Sequence, residues 1–261
     1  MKQLWCFTAG AAALAANCLM AGDPWGRVEA WVVTMVAMVV FMAAIGDAMQ
    51  HRPAGILIDN RNRVSLSKLQ AVAWTVLVLS GLTVMVAAKL KGGSFDFDKN
   101  HHPLLILRDP ISIDNTLLAV MGISATSLTL TPAILSIKKN ALGNSAVFSR
   151  DPLANAEWLD IFRGDDSSNA DTPDLSKIQQ FLVSLIVIVG YGFMLANALG
   201  WGVKLVGQAY PALIEFPDMG PDMVWLLGIS HAGYLTYKAV PHGSGNDDAN
   251  SASDPRQTPA G

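Results

Sequence analysis

Five long apolar runs, separated by polar segments, constrain the fold of this chain more than any other feature. They lie at about 28–46, 71–88, 116–137, 178–199 and 222–237. Several approach the roughly 20 residues with which a helix crosses about 30 Å of hydrocarbon. A soluble helical core would need charged faces between the runs, and only 15% of the residues are charged. We therefore predict an all-α integral membrane protein, a bundle of five transmembrane helices.

The first 21 residues leave the number of crossings open. A short basic start, an Ala-rich apolar stretch and small residues near Ala21 fit a secretory signal peptide. The same residues equally fit a retained, weakly hydrophobic helix, which would bring the count to six. Both cysteines, Cys6 and Cys18, lie in this segment, so a disulfide framework or a cysteine site in the main body is excluded.

Loop charges predict the orientation, because Lys and Arg accumulate on the cytoplasmic side of a membrane. Basic residues are concentrated in the segments 50–68 and 138–177, whereas 201–221 carries only Lys204. We expect a multi-pass protein of the bacterial inner (plasma) membrane with a cytoplasmic C-terminus.

An internal repeat organises most of the chain. Leu66–Gln70 (LSKLQ) recurs as Leu175–Gln179 (LSKIQ), and Met121–Ser124 (MGIS) recurs as Leu227–Ser230 (LGIS), in the same order and at nearly the same offset. This pattern predicts a tandem duplication of a two-helix unit. Because each unit holds two crossings, both copies point the same way, and the repeat is parallel.

The duplication divides the chain into six segments. They are a signal peptide or weak first helix (1–21), an extra transmembrane helix with a cytoplasmic connector (22–63), helical-hairpin repeat 1 (64–140), a flexible cytoplasmic loop with a short amphipathic segment (141–173), helical-hairpin repeat 2 (174–241) and a disordered cytoplasmic tail (242–261). Within repeat 1, Pro132 is expected to kink or end its helix.

Polar residues inside the predicted crossings are the candidates for a ligand or solute path. His231 is an ionisable group within an apolar run, and such groups often serve function. The alternative is a neutral histidine bonded to a neighbouring side chain or carbonyl. The other candidates for this path are Ser230, Ser124 and Thr126. Lys238, at the end of the same run, is expected to reach the membrane surface.

Two further sets of residues recur with the repeat. Glycines at helix faces, expected to let another backbone approach, are Gly81, Gly190, Gly122 and Gly228. Polar residues at the helix starts, expected to reach headgroups or to bond between helices, are Ser67, Gln70, Ser176 and Gln179.

Several functional classes lack their sequence signatures. A net charge of −3 gives no basic excess for nucleic acid. Nucleophile-elbow, phosphate-loop, zinc-protease and dinucleotide motifs are absent from the sequence. His101–His102 lies near two aspartates without a second group of ligands at suitable spacing, so we predict no metal, no cofactor and no enzyme activity.

The repeat blocks VSLSKLQAVAWTVLVLSG (64–81) and LLGISHAGYLTYKAVP (226–241) resemble a group of bacterial multi-pass inner-membrane proteins of uncharacterised function. The likeness covers roughly 56–140 and 155–241 and rests on an LSxxQ helix opener followed by a returning GIS helix. The resemblance implies the two-helix repeat and supplies no activity.

These observations favour a non-enzymatic membrane scaffold or anchor that assembles with itself or with partner membrane proteins. The motivation is the set of small-residue helix faces, the polar loops and the lack of buried charge. The alternative is a channel or transporter for an ion or small solute that uses the polar groups of the GIS helices, with a membrane enzyme as a distant third.

Overall fold

A computed structural model of the chain describes residues 26–92, 96–97, 103–104, 111–151, 156–202 and 216–242. Its long helices are α1 (Arg27–Gln50), α2 (Leu66–Gly92), α3 (Asn115–Leu142), α4 (Leu175–Ala198) and α5 (Pro221–Ala239). Shorter elements are three 3-10 turns (Gly55–Leu57, Asn144–Ala146 and Trp158–Ile161) and the antiparallel pair of β1 (Asp96–Phe97) and β2 (Pro103–Leu104). Each predicted apolar run forms one long helix, which confirms the helical prediction.

Four of the described helices, α1 to α4, are long and apolar enough to cross a membrane. α5 is not among them; it has 19 residues, which span about 28 Å at a rise of 1.5 Å per residue. The chain is therefore a helical protein suited to a membrane, and the fifth crossing stays a prediction.

Local sequence explains where three of the helices begin. The Asp114 carboxylate accepts the Thr116 amide at 2.7 Å and caps α3, while Asp174 accepts the amide of Ser176 at 2.9 Å and caps α4. Pro221 begins α5, where its missing amide costs no hydrogen bond.

Pro132 does not end α3, which continues to Leu142. Of the two predicted effects, an end of the helix at Pro132 is therefore wrong, and a kink stays a prediction. Membrane helices tolerate an internal proline when neighbouring groups satisfy the freed backbone.

Four helices form a ring in which α2 contacts α3 and α4, and α5 contacts the same two helices. α1 packs on the outside of the ring against α2. α3 and α5 run side by side in the same direction: the Phe216 amide donates to the Ser112 carbonyl near their starts, and Lys138 Nζ donates to the Val240 carbonyl near their ends. We call the end where α2 and α4 begin and α3 and α5 finish the charged end, and the opposite one the distal end.

Large apolar side chains cover the outside of the ring. Examples are Ile137 (67% exposed), Ile186 (64%), Trp225 (70%) and Ile229 (67%). Water would make such a surface costly, whereas lipid would not. The outer faces of α3, α4 and α5 are therefore suited to contact with lipid.

The distal half of the interior is apolar and closely packed. Side chains from all four ring helices meet there, among them Val84, Met85, Leu117, Leu195 and Leu227, each fully buried. Trp74 and Tyr191 lie on the charged-end side of this apolar layer, with ring centroids 6.1 Å apart.

The loop predicted to be flexible is packed in its described part. Asp160, Asp165 and Asp166 are at most 6% exposed, and backbone bridges pair Val147 with Asp166 and Arg163 with Pro173. These aspartates pair with cations of the loop itself and of other segments rather than with water.

The tandem duplication stays a prediction. Its equivalent helices α2 and α4 are neighbours, and so are α3 and α5, whereas a twofold axis through the ring would place them at opposite corners. Predictions for residues 1–21, for His101–His102 and for the tail beyond residue 242 lie outside the described residues.

Candidate functional site

A buried ion cluster closes the charged end of the ring. Asp165 lies 3.0 Å from Lys177 Nζ, 2.5 Å from Lys238 Nζ and 2.9 Å from Arg61 Nη2. These four residues, which we call the Asp165 cluster, are each at most 6% exposed. They come from the loop before α4, the first turn of α4, the last turn of α5 and the connector before α2.

The connector is shaped to deliver its arginines to this cluster. Ile58 and Val64 form an antiparallel bridge, and the Asp59 carboxylate accepts the amides of Arg61 at 2.9 Å and Arg63 at 3.1 Å. Asn62 between them takes a left-handed conformation, with φ of 57°. Such a turn is typical of an Asx motif, in which the aspartate side chain replaces backbone partners.

Arg63 joins the connector to the loop. It is 1% exposed, and its Nη1 donates to the Gly164 carbonyl at 2.6 Å. Its guanidinium also lies 5.4 Å from the centre of the Phe148 ring. Asp160, next to it, accepts from Arg150 Nη2 at 2.6 Å. The loop and the connector therefore form one packed layer across the charged end.

Electrostatics keep the cluster ionised. Burial alone would raise the pKa of Asp165, but the ammonium groups of Lys177 and Lys238 and the Arg61 guanidinium outweigh burial and hold this pKa well below its ordinary value. Burial would lower the pKa of Arg61, and its two carboxylate partners, Asp165 and Asp59, raise it instead. The charges of the Asp165 cluster are thus balanced by oppositely charged side chains rather than by water.

A column of polar side chains leads from this cluster into the ring. Lys238 Nζ lies 2.7 Å from the Tyr234 hydroxyl, which is 3.5 Å from the Thr131 hydroxyl. Thr131 lies 3.1 Å from Ser67. This first level joins α2, α3 and α5 through side chains that are at most 6% exposed.

A second level of the polar column lies about one turn deeper and centres on His231. Its Nδ1 lies 2.5 Å from the Ser127 hydroxyl and 3.3 Å from Gln180 Nε2. Gln180 Nε2 also donates to Gln70 Oε1 at 3.0 Å, and Gln70 Nε2 donates to Ser184 at 2.8 Å. All four ring helices contribute to this level.

The tautomer of His231 is linked to the orientation of the Gln180 amide. With Gln180 Nε2 facing the ring, Nδ1 accepts and the imidazole proton lies on Nε2. His231 Nε2, Gln180 Oε1, Ser124 Oγ and Ser230 Oγ are buried without a hydrogen-bond partner among the described residues. The column therefore ends, just below the apolar layer, in two ring or amide atoms and two hydroxyls without a partner among the described residues.

The structure separates the residues that the sequence proposed for a path. His231, Ser230 and Ser124 lie in the polar column. Thr126 does not, because its side chain is on the exposed face of α3 and bonds to the Gly122 carbonyl at 2.8 Å.

Of the four polar residues predicted at the helix starts, two lie inside the ring and two do not. Ser67 and Gln70 are buried and bond between helices, so they do not reach headgroups. Ser176 instead bonds to Asp174 at 2.6 Å, and Gln179 is exposed. In α4 the residue whose surroundings match those of Gln70 is Gln180, one position after the repeat partner Gln179.

The predicted packing glycines also differ in their surroundings. A Cβ at Gly81 would lie 2.7 Å from Leu195 Cδ2, and one at Gly228 would lie 3.6 Å from Ile123 Cδ1, so both face a neighbouring helix. A Cβ at Gly122 or Gly190 would meet nothing within 4 Å among the described residues.

Sequence reasoning missed Asp165, Lys177, Gln180 and Tyr234, and it placed Lys238 wrongly. Lys238 does not extend to the membrane surface; it is 5% exposed and paired with Asp165. A signal was present in the spacing. Polar residues three or four positions apart mark one face of a helix, and such stripes are Ser124, Ser127 and Thr131 in α3, Lys177, Gln180 and Ser184 in α4, and His231, Tyr234 and Lys238 in α5.

Within the described part of the chain, no group of three or more metal-ligating side chains is found. The candidate site consists of the Asp165 cluster and the polar column, and the apolar layer lies beyond them. Comparisons of the chain with protein-family models, with curated proteins and with solved structures find no match.

Proposed function

We propose that this chain is a membrane transport protein in which the polar column forms the charged-end half of a gated proton path. The observation that carries the proposal is the position of His231, which has an unpartnered Nε2 at the inner end of the column. Ionisable and polar groups inside a membrane bundle are costly, and they often mark proton or solute pathways.

A proton fits this interior better than a larger solute. Two levels of hydrogen-bonded side chains already span about two helical turns, roughly 10 Å, from Lys238 to His231. Beyond them the apolar layer of Leu117, Leu195 and Leu227 blocks a continuous path. Transport would therefore require the ring helices to move, so that the distal half opens only in another conformation.

The proposal places five crossings in the membrane. α5 begins beside the start of α3, where Thr116 and Asp218 bond at 3.0 Å, and it ends beside the end of α3. A helix that follows a membrane-spanning neighbour from end to end would cross with it. The basic residues in the loops of the charged end support the proposal that this end, together with residue 242, faces the cytoplasm of a bacterial cell.

Proton flux into liposomes tests the proposal. The purified full-length chain is reconstituted with a pH-sensitive dye inside, and a potassium gradient with valinomycin supplies the driving potential. We expect flux above that of protein-free liposomes, and a loss of about tenfold or more in His231→Ala, the factor equivalent to about 1.4 kcal/mol of barrier.

Thr126→Val is the matched control, because Thr126 faces outward from the same part of the ring. Its flux should equal that of the unaltered protein. Equal flux in His231→Ala, or none in the unaltered protein, would contradict a proton path through this column.

A second proposal, assembly with itself or with a partner membrane protein, is favoured by the outer face of α3. Gly122, Thr126, Thr129 and Ala133 form an exposed stripe of small residues there. Such stripes allow close contact between membrane helices. Native mass spectrometry in mild detergent should show a dimer that Gly122→Leu weakens, and a strictly monomeric protein without partners would rule this out.

A further inference from the structure

A lateral pocket of about 330 Å³ opens between the start of α2 and the second half of α3. Its walls include Lys68 and Lys139, the hydroxyls of Ser65 and Ser136, and the apolar side chains of Leu128 and Pro132. It lies on the outside of the ring at the charged end and is separate from the inner end of the polar column.

The pocket carries uncompensated positive charge. Asp59 and Arg61 also line it; they are paired with each other, and Arg61 is paired with Asp165 as well. Lys68 Nζ donates to the Ile58 carbonyl at 2.6 Å, a neutral partner, and no carboxylate lies within ion-pair distance of Lys68 or Lys139 among the described residues. Two ammonium groups therefore remain available to an anion.

The start of α2 adds to this charge. Ser65 immediately precedes the helix, and the first turn of α2 contains no acidic residue. The Ser65 hydroxyl accepts the Lys68 amide at 3.5 Å, but no acidic side chain offsets the partial positive charge of the other first-turn amides. The polar part of the pocket is thus basic from both its side chains and its backbone.

Polarity in the pocket changes along α3. Leu128 and Pro132 lie nearer the middle of α3, and Lys139 lies about 16 Å beyond Leu128 and about 10 Å beyond Pro132, towards the charged end. Pro132, which lines the pocket, is itself exposed on the outer surface of α3. An apolar inner part and a basic outer part, open to the side, match the order of acyl chain and phosphate in a membrane lipid.

We propose that this pocket binds an anionic phospholipid, with the lipid phosphate between Lys68 and Lys139 and an acyl chain against Leu128 and Pro132. Basic pockets between membrane helices at the cytoplasmic side are suited to such headgroups. Thr131 lines the pocket and also bonds to Ser67 in the polar column. The bound lipid therefore covers the column from the side. The proposal does not depend on proton transport.

Binding of short-chain lipids to the full-length protein in detergent tests it. Dioctanoyl phosphatidylglycerol, followed by native mass spectrometry, should saturate one site. Lys139→Gln and Lys68→Gln should each weaken binding about fivefold, the effect of about one basic side chain near an anionic surface. Leu128→Trp should fill the apolar part and abolish binding without a change in charge.

Three controls separate the alternatives. Lys89→Gln removes the same charge at the distal end of α2 and should leave binding unchanged. Dioctanoyl phosphatidylcholine has the same chains without net charge, and equal binding of it would overturn the proposal. Glycerol phosphate has the headgroup chemistry alone. If it binds as tightly as the lipid, or if Lys139→Gln and Lys89→Gln behave alike, the pocket is not a lipid site.

Discussion

The carboxylate of Asp165 contacts cations from three separate parts of the chain: the connector, α4 and α5. The ammonium and guanidinium groups of these three side chains have little access to water, since each side chain is at most 6% exposed. A buried ion pair adds little to stability compared with an apolar replacement, but removing one partner leaves the others uncompensated. Asp165 is therefore a residue whose loss should be costly.

Asp165→Asn should lower the free energy of unfolding by about 3–5 kcal/mol, because three buried cations lose their shared carboxylate. Thermal unfolding of the purified protein in detergent measures the change. Asp171→Asn is the matched control, since Asp171 belongs to the same loop and is exposed. Similar unfolding temperatures for the two variants would show that Asp165 does not hold the charged end together.

The same comparison predicts a pH dependence with a definite sign. The pKa of Asp165 is lower in the folded protein than its ordinary value, so its stabilisation is present above about pH 3.9 and is lost as the pH falls towards the folded pKa. The stability gap between the unaltered protein and Asp165→Asn should stay constant from about pH 8 to 5 and shrink at more acidic pH. A gap that shrinks near neutral pH would contradict this assignment.

At the scale of helices, the contact between α2 and α4 depends on two glutamines. Gln180 donates to Gln70, and Gln70 donates to Ser184. Single changes to leucine and their combination should reveal a coupling energy of about 0.6–1.7 kcal/mol, the range measured for hydrogen bonds between membrane helices. Unfolding in mixed detergent micelles with increasing sodium dodecyl sulfate gives the values.

Gln179→Leu supplies the comparison for that experiment. Gln179 is the repeat partner of Gln70 in the sequence, but it is exposed on α4. It should show no coupling with Gln70. Coupling of Gln70 with Gln179 rather than with Gln180 would mean that α4 is rotated by about 100° from the orientation described.

Sequence predicted the existence of the helices well and their rotation poorly. Long apolar runs identify helices because length and hydropathy suffice. A membrane helix is largely apolar on the face that contacts lipid and on the face that packs inside the bundle. The spacing of its apolar residues therefore gives little information on which face is buried. The LSKLQ and LSKIQ match therefore suggested Gln179, whereas packing places Gln180 inside.

Loops were the other limit of prediction. The segment 164–174 has the composition of a solvated loop, and it was expected to be flexible. Asp165 and Asp166 of this segment are buried because Lys138, Lys177, Lys238 and Arg61 lie opposite them in the fold. Which charges meet across such distances along the chain cannot be inferred from one sequence without knowing the helix arrangement.

At the scale of the whole molecule, the fifth crossing is open to a direct test. Asp222 and Ala239 are exposed at opposite ends of α5. In a variant with Cys6 and Cys18 replaced by serine, a cysteine at Asp222 should react with a membrane-impermeant maleimide in intact cells. A cysteine at Ala239 should react only after permeabilisation.

Two positions provide controls for the labelling. Ser112 lies at the distal end and Ser145 near the charged end, and both are exposed. Cysteine at Ser112 should behave like Asp222→Cys, and cysteine at Ser145 like Ala239→Cys. Labelling of both ends of α5 from the same side would mean that this helix does not cross the membrane.

The Asp165 cluster also bears on the order in which the protein is assembled. The loop that carries Asp165 is synthesised before α4 and α5, which supply its two lysines. When the loop emerges from the ribosome, only the connector arginines are available to it. The complete cluster can therefore form only after α5 has joined the ring, because Lys238 belongs to its last turn, and a chain whose α5 has not joined leaves Asp165 with one lysine instead of two.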